Sequence, residues 1–327
     1  MRAPSILIYS KPMATYRERT LFGRHIVSVA DLQPEELALV LRIAGEMKEG
    51  RSDLVASGKT LALLFEKPSL RTRVSFEVAI RSLGGECLYL SPAEVGLGQR
   101  EPVKDVARTL SRYVDGIAAR TFSHSTVREL AAWSQVPVIN ALSDEEHPCQ
   151  AFADLLTIVE KKGRLAGIRL AFVGDGNNVA ASLCLAAAMS GMHFRIASPK
   201  GFGLAASLLE LAGSFAKLTG GSIEPSLDPP GAIRDADVVY TDVWASMGQE
   251  SEAPQRRRAF AGYQVTSEMM ALAHPKAIFM HDLPAHRGEE VAEDVIEGPQ
   301  SVVFDQAENR LHAQKALLGL LLSEAAV

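Results

Sequence analysis

Two spacings of apolar residues alternate along this chain. Short runs in which nearly every residue is apolar, at 60–65 and 168–173, fit strands buried on both faces. Between them lie stretches with apolar positions at three- and four-residue intervals, the period of a helix with one buried face. Asp31, Pro34, Glu35 and Glu36 open the first helix, which runs toward Gly50. A second helix is predicted over 69–83, closed by Gly84-Gly85, and others over 103–113, 124–133 and 150–162. Strands are predicted at 86–90, 115–119 and 136–140. After the polar segment 161–167 the rhythm restarts, with strands at 168–173, 193–197, 238–241 and 277–280 and a helix at 178–191. A last helix spans 306–322.

This repetition predicts the α/β class, with two domains that are each a parallel sheet flanked by helices. The last helix is expected to pack back on the first domain. The boundaries read as an N-terminal extension at 1–20, a first domain at 21–162 and a second at 163–327.

Composition narrows the class. The 327 residues are 47% hydrophobic and 22% charged, which excludes a disordered chain and leaves room for two cores. No apolar run reaches the roughly 18 residues of a membrane span. Lys and Arg number 34 against 39 Asp and Glu, so the net charge of −5 gives no pull toward nucleic acid or anionic membrane. Cys87, Cys149 and Cys184 do not make a disulfide framework, and a reducing, cytoplasmic compartment is expected. Residues 1–20 hold a short apolar patch, Ile6 to Tyr9, among Arg2, Lys11, Arg17 and Arg19. That patch is too short for a secretory core, and a loose extension is expected in preference to a targeting signal.

Five clusters could carry chemistry. Glu66 to Arg73 joins a strand to a helix. Ser69 can cap that helix, while free N–H groups, Thr72, Arg71 and Arg73 make an anion site that suits phosphate; the plainer alternative is a capped helix with solvated arginines. His147-Pro148-Cys149-Gln150 opens the long helix, where His147 and Gln150 could address a carbonyl and an amide or serve structure alone. Cys149 has no nucleophile's partner spacing, and a buried inert thiol is expected. Gly174 to Ala180 imitates a dinucleotide turn, but Ala180 stands near the third glycine position and Ser198-Pro199-Lys200 where a ribose-binding acid belongs. The last two clusters, Asp242 to Glu250 and His281 to Gly288, follow strands; Asp242 and Asp282 together could hold a cationic amine. No Cys, His and Asp set has metal-ligand spacing, and neither a metal nor a cofactor is expected.

Taken in order, these motifs resemble the aspartate/ornithine transcarbamoylase family, nearer its ornithine-type members, over about Leu21 to Leu322. FEKPSLRTRVSFE at 65–77 is similar to the family's carbamoyl phosphate loop, usually S-T-R-T. VARTLSRYVDGIAARTF at 106–122, HPCQ at 147–150, GDGNNV at 174–179, DVWASMG at 242–248 and HDLPAHRG at 281–288 follow in family order. The resemblance implies carbamoyl transfer from carbamoyl phosphate to the δ-amine of ornithine, with no metal, by a homotrimer whose two α/β domains close over the ligands. Residue by residue, it assigns Ser69, Leu70, Arg71, Thr72, Arg120, His147, Gln150, Asp282, Leu283 and Arg310 to carbamoyl phosphate. Asn178, Asp242, Ser246 and Met247 are assigned to ornithine, and Arg120, His147 and Asp282 to catalysis.

Three positions depart from the family pattern. Leu70 replaces a Thr whose backbone N–H is what the phosphate needs. Ala181 replaces a common His. Asp282 stands where ornithine-type members carry the cysteine of H-C-L-P, beside the reacting groups. That substitution keeps open a transcarbamoylase for another amine, such as putrescine or an acylated ornithine, or a ligand-binding relative without activity.

Overall fold

The computed structural model describes residues 21–98, 100–245 and 250–324; the extension predicted at 1–20 lies outside them. The chain forms two compact units. One runs to Leu156 and resumes at Asn309, and the other is Thr157–Glu308. The chain passes from the first to the second within the Pro148–Lys162 helix and returns within the Val303–Leu322 helix.

In the first unit, β1 (Thr60–Phe65), β2 (Glu86–Leu90), β3 (Gly116–Arg120) and β4 (Val138–Leu142) form a parallel sheet in the order β2-β1-β3-β4. The central strands β1 and β3 are buried almost throughout, which accounts for their unbroken apolar runs. The register pairs Phe65 with Arg120, so the segments that leave β1 and β3 start side by side at the carboxyl rim. The strand predicted at 136–140 lies two residues further on, because Pro137 has no N–H to extend the ladder with β3. The helix predicted over 103–113 stops at Leu110, where the Ser111 hydroxyl donates to the Ala107 carbonyl. The end of the Val303–Leu322 helix packs closely on this unit: a Cβ at Gly319 would lie 3.1 Å from Met47, and one at Gly116 3.2 Å from Leu322.

The second unit holds β5 (Arg169–Val173), β6 (His193–Ala197), β7 (Ser222–Ser226), β8 (Val238–Thr241) and β9 (Ile278–Met280), parallel in the order β7-β6-β5-β8-β9. The hydrophobic pattern did not predict β7. Its Pro225 and polar residues are tolerable only at an edge, which is where it sits. The Ala206–Thr219 helix was also not predicted, since Leu211 and Leu218 on its exposed side blur the apolar stripe. Pairing of Val173 with Thr241 and of Tyr240 with Met280 brings the ends of β5, β8 and β9 onto one rim. Ligands of open parallel sheets bind beyond such carboxyl ends.

Candidate active site

In the first unit the site is organised around a buried hydroxyl. Ser69 caps the Leu70–Ser82 helix, accepting from the Thr72 N–H, and its own hydroxyl donates to Thr72 Oγ1 at 3.0 Å. Thr72 Oγ1 also accepts from Arg310 Nη2 at 2.8 Å and from Arg120 Nη1 at 3.4 Å. Arg120 comes from the end of β3 and Arg310 from the C-terminal helix, 238 positions beyond the Thr72 whose oxygen both address. The first backbone hydrogen bond in this turn is Arg73 N–H to the Ser69 carbonyl, so the N–H groups of Leu70 and Arg71 precede the helical ladder. Leu70 itself points outward, 77% exposed, as a residue contributing only its backbone should.

His147 immediately precedes the Pro148–Lys162 helix and is buried. Burial pushes its pKa well down, and the charges of Arg310, Arg120 and Lys67 push it further. A neutral imidazole therefore persists through neutral pH, able to donate one hydrogen bond to a carbonyl oxygen without carrying charge. Lys67 is itself lowered, by burial and then by Arg120, and its ammonium lies 5.2 Å from the Phe122 ring centroid. Gln150 donates from Nε2 to Asp154 Oδ1 at 2.8 Å. A carboxylate only accepts, so this bond fixes the amide orientation and leaves Gln150 Oε1, which is buried and without a protein partner, as an acceptor for an N–H ligand. Cys149 is buried, with its thiol pushed up to about 12, and is inert as expected.

The second unit presents carboxylates. Asn177, the residue before the predicted Asn178, caps the Asn178–Met189 helix by accepting from Val179 and Ala180 N–H. Its Nδ2 donates to Asp242 Oδ2 at 2.7 Å, and Asp242 Oδ1 accepts from the Val243 N–H. Gly176 must be glycine, because a Cβ there would lie 2.5 Å from the Gly203 and Leu204 backbone. His281 is fully buried; its Nδ1 accepts from the Leu283 N–H at 2.9 Å, and its Nε2 faces Glu290 Oε1 at 3.2 Å.

Asp242, His281 and Asp282 each bring a donor atom to within 4.8 Å of the others, a grouping that sequence spacing does not reveal. The His281 Nδ1 lone pair already accepts the Leu283 N–H, so a metal ion would have to displace that bond, whereas each Asp242 oxygen accepts one hydrogen bond and keeps room for an ammonium donor. Leu283 lies beside this group through its N–H. The predicted Ser246 and Met247 lie outside the described residues. The segment that leads to them is held by Arg256, missed from sequence because a lone arginine in a basic run looks like a solvated charge. Arg256 is buried and donates to the Trp244 carbonyl at 2.9 Å and to Asp175 Oδ2 at 2.7 Å. Burial pushes the Asp175 carboxyl up to about 6 against the opposing pull of Arg256.

Comparison with known proteins agrees with this division of labour. The family model for the aspartate/ornithine carbamoyltransferase carbamoyl-P binding domain matches residues 24–160, and that for the Asp/Orn binding domain matches residues 166–321. An ornithine carbamoyltransferase of Hyperthermus butylicus is 57% identical over 309 residues, covering 93% of this chain and 98% of that protein. An anabolic ornithine carbamoyltransferase of Pyrococcus furiosus is 50% identical over 307 residues, covering 93% and 98%. The solved structure of the ornithine carbamoyltransferase from Pyrococcus furiosus matches with a TM-score of 0.90 over 94% of this chain and 99% of that one.

Proposed function

The chain belongs to the aspartate/ornithine carbamoyltransferase family, and from that premise we propose that it carbamoylates the δ-amine of L-ornithine in arginine biosynthesis. The amine nitrogen bonds to the carbonyl carbon of carbamoyl phosphate, the carbon–oxygen bond to phosphate breaks, and the electron pair leaves with inorganic phosphate. The nitrogen loses a proton, and the product is L-citrulline. The observation that carries the reading is the convergence of Arg120 and Arg310 on Thr72 Oγ1, with neutral His147 among the same charges.

On this reading the Ser69–Thr72 turn, with Arg71 and Arg310, holds the phosphate. Arg120, Thr72 and His147 donate to the carbonyl oxygen as it gains charge, where one donor is worth roughly 2.7–4 kcal/mol. Gln150 Oε1 accepts from the carbamoyl NH₂ and fixes its rotation. Asn178, Asp242, Ser246 and Met247 bind ornithine, with Asp282 and Leu283 at the reacting end. The chemistry asks the first domain, 21–162, to hold the electrophile and the second, 163–327, to hold the amine; no cofactor takes part.

The same reading makes the enzyme a cytoplasmic homotrimer. Three free cysteines accord with a reducing compartment. Leu70, Val74 and Val78 form an exposed apolar stripe at four-residue spacing on the Leu70–Ser82 helix, and Leu88 is exposed on the neighbouring edge strand β2, as an interface between copies requires. Asp282 favours a second reading, in which a carboxylate pair selects a different amine such as putrescine. Purified protein given carbamoyl phosphate and ornithine at alkaline pH should release citrulline and phosphate one to one. Absence of citrulline sinks the reading, and product from putrescine alone moves the assignment to the second.

A further inference from the structure

Gln306 and Arg310 lie four residues apart on the Val303–Leu322 helix, on one face and a single turn from each other. Arg310 donates to Thr72 Oγ1 at 2.8 Å in the anion cluster. Gln306 is fully buried and engages the ends of two strands of the second unit. Its Oε1 accepts from the His281 backbone N–H at 2.9 Å, and its Nε2 donates to Tyr240 Oη at 3.0 Å. A backbone N–H only donates, so the amide oxygen must face His281 and the orientation is fixed.

Tyr240 lies in β8 two residues before Asp242, and His281 follows β9 one residue before Asp282. One side chain thus ties together the two strand ends that carry the carboxylate pair. The anchor is stiff, because the Tyr240 ring is fully buried and stacks on Phe172 with centroids 5.4 Å apart and 19° between planes. In an α-helix the N–H of Arg310 bonds to the carbonyl of Gln306, so backbone displacement at one is carried to the other.

We propose that Gln306 is a positioning residue that sets the spacing of Asp242 and Asp282 and passes occupancy of the Thr72–Arg310 anion site to the amine site through one helical turn. The inference rests on the functional reading above. Gln306 has no exposed surface and acts through the strand ends, not on substrate.

The test is a binding ratio on the full chain. L-Ornithine cannot react without a carbamoyl donor, so its Kd can be measured by calorimetry with and without saturating inorganic phosphate, the probe for the anion site. In the unaltered protein, phosphate should tighten ornithine by about 5-fold or more, the lower end of typical coupling between sites. Gln306→Leu should bring that ratio to near one while the affinity for phosphate alone stays within about twofold. Gln306→Glu keeps an acceptor for the His281 N–H and should retain the coupling. Tyr240→Phe keeps the ring stack but removes the anchoring hydroxyl, and should lose a large part of it.

A Gln306→Leu protein that binds ornithine more weakly but keeps the unaltered ratio overturns the proposal, since mere structural loosening does that. Should Gln306→Leu fail to fold, an unaltered ratio in Tyr240→Phe overturns it equally. An unaltered protein that makes no citrulline overturns the functional reading itself. Citrulline formation with coupling intact in the variants overturns only the role of Gln306.

Discussion

Replacing Asp282 by the family's cysteine should move the pH optimum of the catalytic rate downward by about one to two units. The amine must be deprotonated to attack, and an alkyl ammonium starts near a pKa of about 10.4. Donor atoms of Asp242, His281 and Asp282 lie within 4.8 Å of one another, so an ammonium bound among them touches two carboxylates. One unit charge at about 4 Å is worth ~1 kcal/mol in bulk water and ~4 kcal/mol at an effective dielectric constant of about 20. The Asp282 side chain is 13% exposed, which puts it between these limits. A middle value of about 2 kcal/mol corresponds to roughly 1.5 pH units of extra stabilisation for the protonated amine.

A second carboxylate holds the ammonium and opposes its deprotonation, so Asp282→Cys lowers the amine's pKa and brings the optimum down. Asp282→Asn, which keeps the shape and removes the charge, should shift it by a similar amount and separates this effect from thiolate chemistry. The assay is citrulline formation against pH with ornithine and carbamoyl phosphate saturating at each point. Asp282 as a general base predicts something else, a fall in rate at every pH without displacement of the profile. An unchanged profile in both variants would mean that Asp282 does not face the amine, and the electrostatic reasoning is then wrong.

His147→Gln keeps a neutral donor in a different place and should lower kcat by about 10²–10³-fold in the citrulline assay. Because burial and three nearby cations hold the His147 pKa well down, the unaltered enzyme should show no acid limb from this residue above about pH 6.5; such a limb that vanishes in the variant contradicts the assignment. Asp175, raised from 3.8 to about 6 in the fold, keeps a proton there that the unfolded chain has already lost. Its contribution is therefore fully present below about pH 4 and fades as pH rises through 6, by up to about 3 kcal/mol. Urea denaturation should show the stability difference between the unaltered protein and Asp175→Asn falling over that window, and a flat difference refutes the shift. Cys149 and Cys184 are buried with thiols pushed up to about 12, so iodoacetamide on the native protein at pH 8 should leave both unmodified and activity intact; loss of activity with label on Cys149 counts against an inert thiol.

Much of this architecture was legible because burial on both faces writes a simple signal. β1, β3 and β5 lie inside their sheets, and their unbroken apolar runs announce them. The edge strand β7 carries no such signal, since Pro225 and exposed polar residues satisfy an edge and nothing more. The rim motifs could be recognised as turns with chemistry. Which of their atoms meet could not, because that depends on strand order. Asp242 and His281 become neighbours only because β8 and β9 are adjacent, and Thr72 meets Arg310 only because a helix returns from the far end of the chain.

Residues that hold the site by acting on other residues leave the least trace. Asn177 looks like half of an asparagine pair, yet it caps a helix with its oxygen and orients Asp242 with its nitrogen. Arg256 sits in Arg256-Arg257-Arg258, a run with no sequence signal of burial, and only its burial separates it from its neighbours. Gln306 reads as an ordinary polar position on an amphipathic helix. In each case one side chain uses a donor and an acceptor, or several donors of one fork, toward partners brought together by the sheet. Polar bifunctionality of this kind has no periodicity and no fixed spacing, so it becomes visible only once the strand ends are in place. The same reasoning explains why Asp282 is the informative departure from the family pattern. A cysteine at that position is compatible with many arrangements of the rim, whereas a second carboxylate beside Asp242 requires either a bound cation or donors on every side. The Leu283 N–H is committed to His281 and the Asn177 amide to Asp242. The pH profiles of Asp282→Cys and Asp282→Asn decide between a bound cation and fixed donors at this carboxylate.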